Sequence, residues 1–174
     1  MEDENLVKLL VNGDVDPCDV SDKLKICALR KKIYTTLHVK DTLSQHVNLI
    51  RYLLSIEMNE RSKDQYDDDT IYEDTYDYEC FYWCIFLLSR VGDVTDVKIL
   101  WKAKYIDFDS SFGVDIQFLV GAGVNNTISF LEHETDQISE KILKYILNCK
   151  NCGDFDDLDR WYHYRYQYFL DIDK

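Results

Sequence analysis

Apolar residues return at every third or fourth position along most of the chain, which is the spacing of one face of an α-helix. In the clearest run, which follows Asp41, this face is formed by five residues: Leu43, Val47, Ile50, Leu54 and Met58. Asp41 is placed to cap the start of that helix. With one proline and six glycines in 174 residues, turns between many short strands are hard to build. The sequence therefore predicts an all-α fold.

Three Gly-Asp pairs punctuate the helical pattern: Gly13-Asp14, Gly92-Asp93 and Gly153-Asp154. Glycine can adopt the left-handed conformation that ends a helix, and the aspartate after it can cap the next one. Each pair therefore predicts a corner between helices. The second and third continue as the similar segments GDVTDV and GDFDDL. We expect about eight short helices in one domain, residues 1–174, and this partial repeat suggests HEAT-like α-solenoid stacking.

Four other segments have a less regular residue pattern, and each still predicts a local structure. A second helix is predicted from the spacing of Leu24, Cys27, Ala28, Lys31 and Tyr34. The segment Tyr105–Gly113, YIDFDSSFG, is predicted to be an acidic, turn-rich loop. Gly121-Ala122-Gly123 lacks the flanking pattern of a phosphate-binding loop and predicts a tight corner. The C-terminal helix is expected to complete the core with its aromatic residues or to present them to a protein partner.

The acidic charge is concentrated in one short segment. Residues 64–79, DQYDDDTIYEDTYDYE, hold eight of the 33 acids, four tyrosines and no lysine or arginine. The run from Thr70 to Glu73 has the form of a capping box, so a helix is expected to begin near Asp69 or Thr70, after an acidic loop near residues 60–70. The helix dipole accounts for acids in the first turns, but not for the triplet Asp67-Asp68-Asp69 before them.

The net charge of −13 narrows the choice of partners. Such a field repels nucleic acid and anionic membranes and attracts basic proteins, so neither nucleic acid nor a membrane is an expected partner. The plainer interpretation, that the acids only keep the protein in solution, remains open.

The N-terminus is acidic where a secretory signal would be basic, and the longest apolar run, Cys80–Leu88, is too short to span a bilayer. A cytoplasmic location with reduced cysteines is therefore expected.

No pattern in the sequence indicates catalysis. The Cys149-Lys150-Asn151-Cys152 motif has no matching pair of ligands and no thioredoxin-like setting, and Cys80, Cys84 and Cys149 fit the buried faces of helices. The four histidines form no recognisable ligand or catalytic cluster. In a chain so rich in acids, the pair Asp107 and Asp109 is not distinguished as a general acid and base. We therefore predict no catalytic residue, no metal site and no cofactor.

The segment Trp101–Leu131 resembles small acidic helical immunity proteins that bacteria encode beside polymorphic or contact-dependent toxins. The resemblance rests on WKAK, the DFD loop, GVDIQFLVGAGV and the residues that follow, Thr127, Phe130 and Leu131. It implies a cytosolic protein that binds a cognate toxin, often a nuclease, and inactivates it by blocking the active site. Immunity proteins diverge fast, so the resemblance transfers no binding residue by position.

The acidic segment suits such a role, because a nuclease is basic where it holds its substrate and an acidic partner associates quickly with that surface. We predict that its acids pair with lysines and arginines of the toxin, flanked by two tyrosines. The predicted contacts are Asp67, Asp68, Asp69, Glu73, Asp74, Asp77, Tyr66 and Tyr72. Two alternatives stay open: a general protein-interaction scaffold without a toxin partner, and an enzyme with a metal in an acidic pocket.

Overall fold

Helices account for all the regular structure in the part of the chain that the computed structural model describes, residues 3–63 and 77–171. This confirms the all-α prediction. Ten α-helices occur there, against the expected eight or so, because short helices such as Ser21–Leu24 leave little periodicity in the sequence. Within those same ranges, no helix is both long enough and apolar enough to cross a membrane.

Contacts divide the chain into two compact units, Met1–Leu88 and Ser89–Lys174, so the prediction of one domain stays a prediction. The described helices of the first unit are α1 (Asp3–Asn12), α2 (Ser21–Leu24), α3 (Cys27–His38), α4 (Val47–Lys63) and the larger part of α5 (Tyr78–Val91). Two 3₁₀ turns join them, Pro17–Val20 and Ser44–His46.

The described helices of the second unit follow the end of α5. They are α6 (Val97–Lys104), α7 (Phe108–Gly113), α8 (Val124–His133), α9 (Gln137–Asn151) and α10 (Leu158–Asp171). The 3₁₀ turns are Val94–Asp96 and Ile116–Val120. The expected loop at Tyr105–Gly113 is thus mostly the helix α7.

The core of the first unit lies between α3, α4 and α5. Trp83 is buried there, and its Nε1 donates a hydrogen bond to Nδ1 of the buried His38 at 3.0 Å. Nδ1 of His38 is therefore the acceptor that satisfies the buried indole N–H of Trp83. Cys80 and Cys84 are buried on α5, as their spacing predicted.

A buried ion pair lies on the inward face of α3. Arg30 donates from Nε to Glu57 Oε1 at 2.7 Å, and Tyr34 donates to the same oxygen at 2.7 Å. All three side chains are at most 1% exposed. The inward face therefore contains Arg30 with Leu29, Ile33, Tyr34 and Leu37, whereas Ala28 is exposed. The single helix predicted from Leu24 to Tyr34 is two helices, α2 and α3. The predicted spacing also left out Arg30, because apolar periodicity assigns an arginine to the surface.

Helix α4 also begins later than predicted. Asp41 lies in a bend and caps no helix, and the His46 N–H donates to Leu43 O at 2.9 Å, the spacing of a 3₁₀ turn. The α-helix starts at Val47. The buried Leu43 and His46 hold this tight turn against the core, a tertiary effect that the capping pattern does not contain.

The three Gly-Asp corners are confirmed at their glycines, since Gly13, Gly92 and Gly153 all have positive φ. Only Asp93 then caps the next element, accepting from the Thr95 N–H at 3.0 Å. The N–H groups of the other two aspartates instead donate back to the preceding helix, at Leu9 O (2.8 Å) and Cys149 O (3.1 Å). These two corners are therefore C-terminal caps, with the residue after glycine closing the last turn.

In the second unit, α10 is anchored through one half of its aromatic residues. Phe169 is buried, the Tyr162 hydroxyl lies 2.8 Å from the Ser89 hydroxyl, and Trp161 Nε1 donates to Asp115 Oδ2 at 2.9 Å. Arg165 pairs with the same carboxylate. Tyr164 on the same helix is 63% exposed. The aromatic residues thus complete the core only in part.

Candidate protein-binding surface

Most of the predicted contact residues lie outside the described part of the chain. These are Tyr66, Asp67, Asp68, Asp69, Tyr72, Glu73 and Asp74. The expected helix start near Asp69 or Thr70 lies outside it as well.

Asp77 is the one predicted contact that the structure describes. Its Oδ1 accepts from the Glu79 N–H at 3.0 Å, so it caps α5, which begins at Tyr78. Its Oδ2 lies 3.3 Å from Lys31 Nζ, and the side chain remains 35% exposed. Asp77 thus stands immediately before α5. Its carboxylate therefore has two structural contacts, the cap of α5 and the ion pair with Lys31.

A pair of phenylalanines on α7 forms the most prominent exposed apolar feature of the described second unit. Phe108 is 77% exposed and Phe112 is 73% exposed. They are four positions apart, and their ring centroids lie 5.0 Å apart in an edge-to-face arrangement. Isolated exposed apolar residues are ordinary on protein surfaces, but two aromatic rings in contact form a contiguous patch.

The orientation of α7 is opposite to that of a usual surface helix. Its buried residue is Ser110, which is 0% exposed, while both phenylalanines point to solvent. An amphipathic helix normally buries its aromatic residues and exposes its serines. A six-residue helix is also too short to form without help from its surroundings. The contacts at its two ends therefore determine this orientation.

Asp107 fixes the N-terminal end of α7. It has an extended backbone, and its Oδ1 accepts from the Ser110 N–H at 2.6 Å, which satisfies one of the free N–H groups of the first turn. The next acid, Asp109, is exposed in that first turn. A negative charge is favourable there because the helix N-terminus carries partial positive charge.

Lys104 fixes the C-terminal end. Its side chain is 4% exposed, and Nζ donates to the carbonyl oxygens of Ser111 and Val114, both at 2.6 Å. Burial lowers the pKa of Lys104, and the negative charge of Asp115 opposes that effect. A buried ammonium group is costly unless its donors are satisfied, and here it binds the carbonyl groups at the negative end of the helix. Lys104 and Asp107 together fix the orientation of α7 in which both phenylalanine rings are exposed to solvent.

Tyr105, three positions before Phe108 in the chain, is another exposed aromatic residue. It is 47% exposed, and its ring packs against Trp101 with centroids 4.5 Å apart. We refer to Tyr105, Phe108, Asp109 and Phe112 as the α7 surface. It combines aromatic area with an exposed carboxylate, the composition that is enriched at the centres of protein interfaces and their rims.

Sequence reasoning missed the α7 surface. The residues Phe108 and Phe112 stand at helical spacing in FDSSFG, and Asp107 precedes them as a cap, so both signals are present in the sequence. The glycine, the serines and the acids outweighed them and led to the prediction of a loop. That the aromatic residues face outward depends on Lys104, whose role cannot be read from its position.

No three histidine, cysteine, aspartate or glutamate side chains of the described ranges come together as a group that could hold a metal ion. The chain matches no protein-family model, no curated protein and no solved structure. The resemblance to immunity proteins over Trp101–Leu131, which includes the whole of α7, therefore stays a prediction.

Proposed function

We propose that this protein is a non-enzymatic inhibitor that binds a basic protein through the α7 surface, and that the partner is a bacterial toxin domain, in particular a nuclease. The observation that carries the proposal is the exposed pair Phe108 and Phe112, held in place by a buried lysine and a capping aspartate. The two polar contacts stabilise an arrangement that hydrophobic burial alone would reverse.

The energetics favour a protein partner for this pair. Burying one phenylalanine side chain contributes about 1.5–3 kcal/mol, and this gain is not realised while the two rings stay in water. A partner that covers both rings recovers it in a preformed geometry, with little loss of side-chain freedom because the rings already contact each other. Aromatic anchors of this kind carry much of the binding energy in protein interfaces.

Charge supports a basic partner rather than a neutral one. Residues 89–174 hold 15 acids and 10 bases, a net charge of −5, and Asp109 lies between the two phenylalanines in sequence. The acids of residues 64–79 add to the attraction, and the predicted contacts there, from Asp67 to Asp77, remain part of the proposal. Complementary charge accelerates association and disfavours acidic competitors.

The remaining parts of the proposal follow from the sequence. The immunity role and the toxin partner rest on the resemblance over Trp101–Leu131. The cytoplasm is the proposed location because that is where an immunity protein meets its toxin. HEAT-like stacking of the helices is proposed from the partial repeat after Gly92 and Gly153.

The test is to co-express the protein with any toxic domain encoded by the neighbouring gene. Growth should be rescued, the two chains should co-purify in a fixed stoichiometry, and purified protein should inhibit the toxin activity at equimolar concentration. Binding without inhibition would instead indicate the scaffold function. If the protein neither binds nor protects against any such domain, the proposed function is wrong.

A further inference from the structure

Two thiols from distant parts of the first unit lie next to each other. Cys27 is the first residue of α3 and Cys80 the third residue of α5, and their Sγ atoms are 3.5 Å apart. A covalent S–S bond is about 2.0 Å long, so a shift of about 1.5 Å separates this contact from a disulfide. Both thiols are free in the structure.

The two thiols differ in their access to solvent. Cys80 is 0% exposed, whereas Cys27 is partly exposed and lines an open groove of about 1090 Å³. Other groups at this groove are Lys25, Lys31, Glu60 and Asp77. A small reagent can therefore reach Cys27, whereas Cys80 is shielded from solvent.

The two thiols also differ in acidity. The hydrogen bond with Cys80 lowers the pKa of Cys27 to about 7, helped by a backbone hydrogen bond at Asp77 and by the charge of Arg30, while burial and Glu57 oppose the effect. The hydrogen bond with Cys27 and burial raise the pKa of Cys80. Of the two thiols, Cys27 therefore loses its proton more readily and Cys80 retains its proton more strongly. This asymmetry suits an attacking thiol and a second thiol that resolves its oxidised form.

The other four cysteines provide an internal comparison. Cys84 and Cys149 are buried, whereas Cys18 and Cys152 are exposed. A hydrogen bond to Asp16 raises the pKa of Cys18, which disfavours its reactive thiolate form. If exposure alone determined reactivity, Cys18 and Cys152 would be oxidised first.

We propose that Cys27 and Cys80 form a peroxide-responsive dithiol that closes reversibly to a disulfide. The Cys27 thiolate attacks hydrogen peroxide and breaks the O–O bond, which gives a sulfenic acid on Cys27 and, after protonation, one water. Cys80 then attacks the Cys27 sulfur, and its proton leaves with the hydroxyl group as a second water. Two thiols are oxidised by two electrons, and one peroxide is reduced to two waters. A cellular dithiol reverses the reaction by thiol–disulfide exchange.

The bond would join the start of α3 to the start of α5 and close a loop that contains residues 64–76. The proposal is independent of the inhibitor function, because it concerns only groups of the first unit and needs no partner. It assigns a role to Cys27, which the sequence pattern treated as part of a buried helix face.

The test uses the purified native chain, exposed to hydrogen peroxide at equimolar concentration. Alkylation of the remaining thiols under denaturing conditions, proteolysis and mass spectrometry then identify the linked peptides. The expected product is a Cys27–Cys80 linked peptide that a dithiol reductant removes, formed while Cys18 and Cys152 stay reduced. Oxidation of Cys18 or Cys152 with Cys27 and Cys80 unlinked would overturn the proposal.

Two variants separate the roles of the thiols. In Cys80→Ser, the sulfenic acid on Cys27 has no resolving partner and should be trapped by dimedone. The matched control, Cys84→Ser, removes a buried thiol from the same helix and should leave the Cys27–Cys80 link intact. If Cys80→Ser gave no dimedone adduct on Cys27 while the wild-type chain gave no link either, Cys27 would not be the attacking thiol.

Discussion

Individual charged residues make structural contacts in the interior of this protein. Arg30 and Glu57 form a buried pair in the first unit, and Arg30 Nη1 also donates to Leu24 O at 2.8 Å and Lys25 O at 2.9 Å. Burial raises the pKa of Glu57, and the charge of Arg30 opposes that effect. Removing two charges from water costs several kcal/mol per ion, which their attraction offsets only when every donor is satisfied. Here Arg30 meets three acceptors within 2.9 Å.

The pair predicts an asymmetry between single and double substitutions. Arg30→Met leaves Glu57 buried without its cation and should reduce the free energy of unfolding by about 3–5 kcal/mol. Arg30→Met with Glu57→Leu removes both charges and should cost less than Arg30→Met alone, despite the lost hydrogen bonds. Urea unfolding of both variants measures the difference. A double variant that is at least as unstable as Arg30→Met would contradict this account of the buried pair.

Four residues whose burial is unusual for their type explain part of the difference between the predicted and the observed structure. Arg30 and Lys104 are both buried, while Phe108 and Phe112 are both exposed, so four residues reverse the usual assignment of charge and apolar character. Periodicity methods treat each residue type alike at every site. Partners that are distant in sequence, such as Glu57 for Arg30, decide these cases and are not visible in a local pattern.

At the level of elements, the helices themselves were largely predictable and their ends were not. The long helices α4 and α9 follow strong periodicity, and the glycine corners set where several helices stop. Gly121 shows that predicting a corner from the sequence does not reveal the contacts made there. A corner was predicted there, but the close contact was not: an added Cβ would lie 2.0 Å from Ser89 O. Glycine is required at this position by the neighbouring backbone rather than by a special φ, since its φ is −57°.

The start of α9 offers an element-level test by pH. Asp136 caps α9 at the N–H groups of Ile138 and Ser139, both at 3.0 Å, and accepts from Lys98 at 2.8 Å. The Lys98 hydrogen bond, together with Ser139, lowers the pKa of Asp136 below its usual 3.8. A lowered folded-state pKa means that the ionised carboxylate stabilises the fold above pH 3.8 and that this stabilisation is lost as the pH falls through the folded value.

Asp136→Asn keeps a capping side chain and removes only the charge. The variant should have a lower Tm than the wild-type protein near neutral pH, and the gap should shrink steadily as the pH drops below about 4. Thermal unfolding followed by circular dichroism from pH 7 to pH 2 measures it. A gap that stays constant over this range would mean that the Asp136 charge contributes nothing to folding stability.

At the scale of the whole molecule, the net charge follows directly from the sequence. The described structure adds little to it. The −13 charge predicts attraction to basic partners at any surface. Which surface makes contact depends on side-chain exposure, and exposure is what the structure adds at α7. If the proposed function is right, the acidic segment should mainly set the association rate and the α7 surface should mainly set the lifetime of the complex.

Association kinetics should separate local from overall charge. Replacing Asp67, Asp68 and Asp69 with asparagine should slow association with a basic partner by about threefold to tenfold at low salt, with a smaller effect as ionic strength rises. The matched control removes three exposed acids elsewhere, with Glu132→Gln, Glu140→Gln and Asp159→Asn, and should slow association less. Stopped-flow mixing at several salt concentrations measures both. Equal slowing would assign the effect to net charge alone.

The central claim, that Phe108 and Phe112 are the anchors of a protein interface, is tested most directly by the Kd for the toxin domain encoded by the neighbouring gene. Phe108→Ser with Phe112→Ser should weaken binding at least about 30-fold, mainly through faster dissociation, because two exposed rings lose their place in the interface. Tyr164→Ser, which removes another aromatic residue that is 63% exposed, should leave the Kd unchanged. A double variant that binds within about twofold of the wild-type protein would contradict the account.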